Sequence, residues 1–143
     1  MRTKVRTIHT PDVSKRQEVL LFEATVPAGF PSPAADYEED KLDLNKHLVK
    51  HPAATFFVRV AGDSMIGAGI HAGDLLVVDR SLEPRNKSVV IAVVNGELTV
   101  KRFRIHNNKI TLEPENESYC ALEITEDTRF EVWGVVTSVI HKL

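Results

Sequence analysis

The chain has 143 residues, of which 43% are hydrophobic and 27% charged, and its formal net charge is −2. This length and composition suit one soluble domain with a packed core. No apolar run approaches the roughly 18 residues that span a membrane, and the N-terminus lacks a signal-peptide core. The single cysteine, Cys120, excludes an internal disulfide. We therefore expect a cytoplasmic protein with no membrane partner and, from its charge, no direct sequence-specific DNA binding.

Residues 1–39 are predicted to form a flexible N-terminal arm. Residues 1–17 are basic, which fits a mobile, solvated terminus or a tail that contacts DNA. The apolar stretch EVLLFEA at 18–24 fits a short strand or one helical turn. The following stretch, VPAGFPSPAADYEED at 26–40, holds three prolines and a glycine, which discourage regular structure.

A helix is predicted from about residue 40 to residue 50. Its apolar residues recur at helix-like spacing, with acidic residues early and lysines late, as the helix dipole favours. Pro52 is expected to end it, because the residue before a proline avoids helical geometry. We assign residues 1–39 to the arm and residues 40–143 to a folded domain.

The sequence after Pro52 is typical of antiparallel β-structure. Five segments are rich in Val, Ile, Phe and Thr, and Gly, Asn, Asp and Pro separate them. Asn95-Gly96 is a strong hairpin signal, and Asn107-Asn108 is expected to form the next turn. The predicted fold class is mainly β: a single antiparallel β domain with one short helix and the N-terminal arm.

Ser64 is the most reactive-looking serine. It lies in GDSM, after a predicted strand, and Gly62 permits a backbone geometry that exposes its hydroxyl. The backbone N–H groups of Asp63 and Ser64 are candidate donors to an oxyanion. The same Gly-Asp-Ser pattern also occurs in ordinary turns, so this motif alone leaves both interpretations open.

Lys101 is the candidate base. Alternation in ELTVKRFRI places it on one strand face with Phe103 and Ile105, opposite Arg102 and Arg104. Burial on that face would disfavour the ammonium form of a lysine whose ordinary pKa is about 10.4. A lysine that extends to solvent at a strand edge is the alternative.

The histidines supply no comparable site. His47 and His51 have a spacing that suits a metal, but no cluster of further ligands accompanies them. We expect two exposed polar residues, no metal site and no cofactor.

Several segments, in order, resemble the LexA/UmuD family of self-cleaving Ser-Lys peptidases, especially its UmuD-like members: GFPSPAADY, LDLN, HPAATFFV, GDSMI, GDLLVVD, GELTVKR and WGVV. The resemblance implies a fold like the LexA C-terminal domain. It also implies that Ser64 is the nucleophile, that Lys101 is the general base, and that the bond cut joins Ala28 to Gly29.

The resemblance further implies a role in the SOS response. A RecA filament on single-stranded DNA would stimulate self-cleavage, and the product would serve a Y-family, UmuC-like translesion polymerase of the polymerase V type. A homodimer is implied too, and it fits the last strand, which is apolar on both faces: Phe130, Val132, Val136 and Ile140 on one, Trp133, Val135 and Val139 on the other.

Three other classes of protein share features with this sequence. A LexA-type or phage-type repressor would need a helix-turn-helix upstream, and only 28 residues precede the expected cut. A membrane signal peptidase would need an anchor. A non-catalytic polymerase-binding module that keeps the Ser-Lys pair as a relic stays open.

Overall fold

The computed structural model describes residues 3–14, 18–22 and 38–143, and its chain divides into two compact units. The smaller unit covers residues 12–50, and the larger one combines the chain up to Pro11 with His51–Leu143. Ala28 and Gly29, the predicted cleavage site, lie outside the described residues.

In the smaller unit, strand β2 (Glu18–Phe22) pairs antiparallel with β3 (Glu38–Asp43), and helix α1 (Leu44–Leu48) follows. The strand alternative for residues 18–24 is therefore confirmed. The predicted start of the helix at residue 40 is wrong, because residues 38–43 pair with β2. Asp43 sets the actual start, since its carboxylate accepts a hydrogen bond from the backbone N–H of Asn45 at 3.0 Å.

The larger unit is an eight-stranded antiparallel sheet with the order β1-β4-β5-β10-β6-β7-β8-β9. A further pairing between β1 and β7 closes six of these strands into a ring. The predicted mainly β fold is confirmed. The strands are β1 Lys4–His9, β4 Thr55–Ala61, β5 Leu75–Asp79, β6 Val89–Val94, β7 Glu97–His106, β8 Lys109–Glu113, β9 Leu122–Glu123 and β10 Phe130–Ile140.

Both predicted hairpin turns are confirmed. Asn95 and Gly96, with φ of 49° and 86°, join β6 to β7. Asn107 and Asn108, with φ of 50° and 61°, join β7 to β8. Positive φ at both central residues is the geometry that matches the twist of two paired strands, and asparagine and glycine tolerate it.

Two buried clusters form the core. The first comprises Val58, Val60, Met65, Ile70, Leu76, Val78, Ile91 and Val100, and the second Val90, Ala92, Phe103, Leu112 and Val135. Strand β10 reaches both, but not by the predicted alternation, which is wrong: Trp133 and Val136 pack on the first cluster, Val132 and Val135 on the second. Register shifts between Val132 and Gly134 and after Val136 change which side chains face each cluster.

Short 3₁₀ helices at Pro52–Ala54 and Ile66–Ala68 complete the larger unit. No helix in the described part of the chain is long and apolar enough to cross a membrane.

Candidate active site

Ser64 lies on the turn that follows β4, and the structure buries it completely, with 0% of its surface exposed. Gly62 has a φ of 91°, a left-handed geometry that glycine adopts readily. The prediction of an exposed hydroxyl is wrong for this structure. The backbone N–H of Thr3 donates a hydrogen bond to Ser64 Oγ at 2.8 Å, so the start of the chain covers the serine.

The loop after β8 holds the Ser64 turn from a second side. The backbone N–H of Glu115 donates to the carbonyl of Ser64 at 2.8 Å, and the Asn116 amide donates to the carbonyl of Asp63 at 2.9 Å. The backbone N–H of Gly67 donates in turn to the carbonyl of Glu115 at 2.7 Å. A Cβ on Gly67 would lie 2.7 Å from that oxygen, so this close approach requires glycine.

Lys101 is buried in β7, opposite Val90 on β6, with 8% of its surface exposed. Phe103 is buried with it, at 5%, and both agree with the predicted face. The prediction fails at Ile105, which is 42% exposed near the end of the strand. The buried position of Lys101 removes the alternative of a lysine that extends freely into solvent.

On the opposite face of β7, Arg102 and Arg104 each form an ion pair with a glutamate. Arg102 Nε lies 2.8 Å from Glu115 Oε1, and Arg104 Nε lies 2.9 Å from Glu113 Oε2. The Arg102 pair joins β7 to the same loop that holds the Ser64 turn. Strand and turn are therefore fastened to one common segment.

Tyr119 also joins the Ser64 turn to Lys101. Its hydroxyl donates to Asp63 Oδ1 at 2.5 Å, and its ring centroid lies 6.0 Å from Lys101 Nζ. The hydrogen bond from Tyr119 is the main reason that the pKa of Asp63 lies below its usual 3.8. One side chain thus contacts the residue preceding the serine and lies close to the lysine amine.

A groove of about 1040 Å³ opens beside Lys101. Strand β1 forms part of its wall. The residues that line the groove include Lys4, Val5, Thr99, Lys101 and Tyr119.

Sequence reasoning missed the contributions of Thr3 and Tyr119 to this site. For Thr3 a signal exists: Thr3, Val5, Thr7 and Ile8 form a run of β-branched residues typical of a strand. The basic charge of residues 1–17 favours a solvated terminus instead. For Tyr119 no local pattern points to Asp63, because the two residues are 56 positions apart.

Of the two histidines whose spacing suits a metal, His51 has a protein partner. His51 Nδ1 lies 2.5 Å from Asp79 Oδ2, while His47 is exposed on α1. In a separate cluster, Asp74 accepts from the backbone N–H of His71 at 2.7 Å and contacts His141 Nδ1 at 2.5 Å. These contacts fasten the end of β10 to the turn before β5, and they bring one ligand atom from each of His71, Asp74 and His141 within 4.8 Å of one another, a spacing compatible with a metal ion.

The chain has clear relatives among known proteins. Residues 20–137 match the family model described as Peptidase S24-like. Protein SamA of Salmonella typhimurium is 51% identical over 85% of this chain and 84% of its own length. Protein ImpA of Escherichia coli is 47% identical over 85% and 83%, and protein MucA of Escherichia coli 41% identical over 94% and 92%.

Proposed function

Because the chain belongs to the S24-like peptidase family, we propose that Ser64 and Lys101 are the nucleophile and the general base with which it cuts its own Ala28–Gly29 bond. Family membership confirms the predicted kind of protein, a UmuD-like self-cleaving peptidase of the SOS response. The assignment of Ser64 and Lys101 as the catalytic residues, and of Ala28–Gly29 as the bond that is cut, is what we propose.

One observation supports the pair above all others: a serine and a lysine are both buried, and Tyr119 contacts the serine turn and lies close to the lysine amine. A base must be neutral to accept a proton, and burial disfavours the charged ammonium. At the ordinary lysine pKa of about 10.4, only about one lysine in a thousand is neutral near pH 7.4. Burial of Lys101 therefore works in the direction that the reaction needs.

The proposed reaction is an acyl transfer followed by hydrolysis. Neutral Lys101 takes the proton of Ser64 Oγ as this oxygen attacks the carbonyl carbon of Ala28. Backbone N–H groups of Asp63 and Ser64 stabilise the tetrahedral oxyanion. The C–N bond breaks, the Gly29 amine leaves with the proton from Lys101, and water then hydrolyses the Ser64 ester to a carboxylic acid.

We further propose the arrangement that the family resemblance implies. Residues 1–39 carry the cleavage site, and residues 40–143 form the protease and dimerisation domain of a cytoplasmic homodimer. A RecA filament on single-stranded DNA would increase cleavage by favouring the conformation in which residues 28–29 reach the serine. The product starting at Gly29 would bind a Y-family polymerase subunit.

The test is to hold the purified protein at neutral and alkaline pH and to follow the fragment beginning at Gly29 by mass spectrometry. Cleavage should speed up as pH rises through the pKa of Lys101. Ser64→Ala and Lys101→Arg should give no fragment at any pH, because an arginine side chain does not deprotonate in proteins. Adding the RecA filament with nucleotide should increase the rate for the wild type and still give no fragment from Ser64→Ala or Lys101→Arg.

Two matched controls keep the result specific. Ser14→Ala and Lys109→Arg make the same changes at exposed positions and should cleave like the wild type. Fragment formation by Ser64→Ala or Lys101→Arg would contradict the assignment of the pair. A rate that stays constant from mildly acidic to alkaline pH would contradict lysine deprotonation as the limiting event.

A further inference from the structure

Strand β1 lies between the two strands that carry the proposed catalytic pair. It pairs with β4, the strand before Ser64, from Lys4 opposite Ala61 to His9 opposite Phe57. On its other side Lys4 pairs with Thr99 of β7, two residues before Lys101. An extended peptide that reached both catalytic residues would use the same two strand edges.

Thr3, directly before β1, contacts the proposed nucleophile itself, because its backbone peptide group lies against Ser64 Oγ. Its N–H donates to Ser64 Oγ at 2.8 Å, and its carbonyl accepts from Thr99 Oγ1 at 3.4 Å. Thr3 is itself 0% exposed. A scissile carbonyl carbon must come within about 3–3.5 Å of the attacking oxygen. Thr3 occupies that approach, and its hydrogen bond engages an oxygen lone pair.

We propose that residues 3–9 are an occluding strand, which lies between β4 and β7 against Ser64 and must leave before residues 28–29 can reach the serine. The occupant is the protein's own N-terminal strand, held as an added β-strand. This inference rests on the proposed function, since it concerns access to the same serine. Strand β1 and residues 28–29 would then compete for access to Ser64.

The strand is held in a way that allows it to leave. Within Lys4–His9 only Val5 is partly buried, and the other side chains are exposed. Backbone hydrogen bonds therefore provide most of the attachment, and segments with few buried apolar contacts open at low free energy. Moreover Thr3 Oγ1 is buried with no hydrogen-bond partner in the described part of the chain, which weakens docking.

Two substitutions of Thr3 should change cleavage in opposite directions. Thr3→Pro removes the N–H that bonds to Ser64 and should speed cleavage about fivefold or more. Thr3→Val keeps the N–H and the shape but replaces the unpaired hydroxyl with a methyl group. Tighter docking should then slow cleavage about threefold. Thr10→Pro, beyond the end of β1, is the matched control and should leave the rate unchanged.

A second measurement reports occlusion without any cleavage. In a Cys120→Ser background, Ser64→Cys places one thiol at the site, and a thiol reagent measures access to it. Adding Thr3→Pro should speed labelling, and adding Thr3→Val should slow it. Labelling that is the same in all three proteins would overturn the occluding strand.

The outcomes separate this inference from the proposed function. If labelling changes as expected but the Gly29 fragment forms at one rate in every Thr3 variant, competition is refuted while self-cleavage stands. If no variant and no wild-type sample yields the fragment at alkaline pH, self-cleavage at this bond is refuted. The labelling rates would still decide whether β1 covers Ser64.

Discussion

Two turns of the larger unit hold a buried polar residue, one at the end of a strand and one three positions beyond a strand, and they are fastened in different ways. Asp79, at the end of β5, is 4% exposed and accepts from the backbone N–H of Ser81 at 2.8 Å and from its hydroxyl at 2.5 Å. The turn containing Ser64 is held instead by Thr3, Glu115, Asn116 and Tyr119, all more than 50 positions away.

The two turns differ in which segments of the chain stabilise them. At the turn after β5, Asp79 accepts two hydrogen bonds from Ser81, only two positions away. A short stretch of chain therefore largely determines the conformation of this turn. The Ser64 turn is contacted by β1 on one side and is held by the loop after β8 on another. Such a turn can lose one set of contacts without unfolding the domain, which suits the proposed departure of β1.

Among the substitutions that test this comparison, Gly67→Ala should have the largest effect on stability and self-cleavage. The new methyl group would meet the Glu115 carbonyl at 2.7 Å and push the loop away from the Ser64 turn. We expect a loss of about 1–3 kcal/mol in unfolding free energy, together with a strong loss of self-cleavage. Urea unfolding and the rate of Gly29 fragment formation measure the two effects.

Gly73→Ala is the control for Gly67→Ala. Gly73 has a φ of +89° and nothing near its Cβ position, so alanine there should cost about 1–2 kcal/mol through backbone strain alone. Cleavage should then continue near the wild-type rate. Equal loss of cleavage in both variants would mean that general destabilisation, and not the Glu115 contact, controls the site.

Asp79→Asn should have an intermediate effect that depends on pH. Burial raises the pKa of Asp79, but hydrogen bonds from Ser81 and His51 outweigh it and hold the pKa below 3.8. The carboxylate therefore stabilises the fold above the unfolded-state pKa, and this contribution is lost as pH falls through the folded-state pKa. The variant should unfold about 1–3 kcal/mol more easily at neutral pH.

Urea unfolding at a series of pH values checks this prediction. The difference from the wild type should shrink as pH falls below 3.8. Asp127→Asn, at an exposed position, should show no such pH dependence. A difference that stays constant in acid would show that shape, and not charge, makes Asp79 important.

Tyr119→Phe should have the smallest effect. It removes the hydroxyl that donates to Asp63 but keeps the ring 6.0 Å from Lys101 Nζ. The pKa of Asp63 should rise toward its usual value, which NMR titration measures, and cleavage should fall by less than about tenfold. Tyr119→Leu, which removes the ring as well, should lower the rate further. Equal rates for the two variants would leave the ring without a role near Lys101.

The parts of the fold that were predicted correctly depend on short-range rules. Asn95-Gly96 and Asn107-Asn108 form hairpin turns because these residues tolerate positive φ at low cost, whatever surrounds them. Strand β7 follows from its own composition, and the burial of Lys101 and Phe103 from its alternation. The GDSM and TVK motifs identified the candidate pair from sequence resemblance, before any geometry was known.

Other features depend on contacts between distant segments, and local sequence says little about them. Residues 40–43 have a helix-like pattern, yet pairing with β2 satisfies their backbone groups as a strand, and Asp43 caps the helix only afterwards. In β10, register shifts overrule the two-residue alternation.

The sequence by itself determined the β-rich class, the hairpins, the family and the identity of the candidate serine and lysine. Only the tertiary structure decided that Ser64 is covered, because its partner Thr3 lies 61 positions away in a segment whose charge suggests a solvated tail. A hydrogen bond between such distant residues depends on the closure of β1 against β4 and β7. That pairing is stabilised by contacts among segments that are far apart in the sequence, so no short stretch of sequence predicts it.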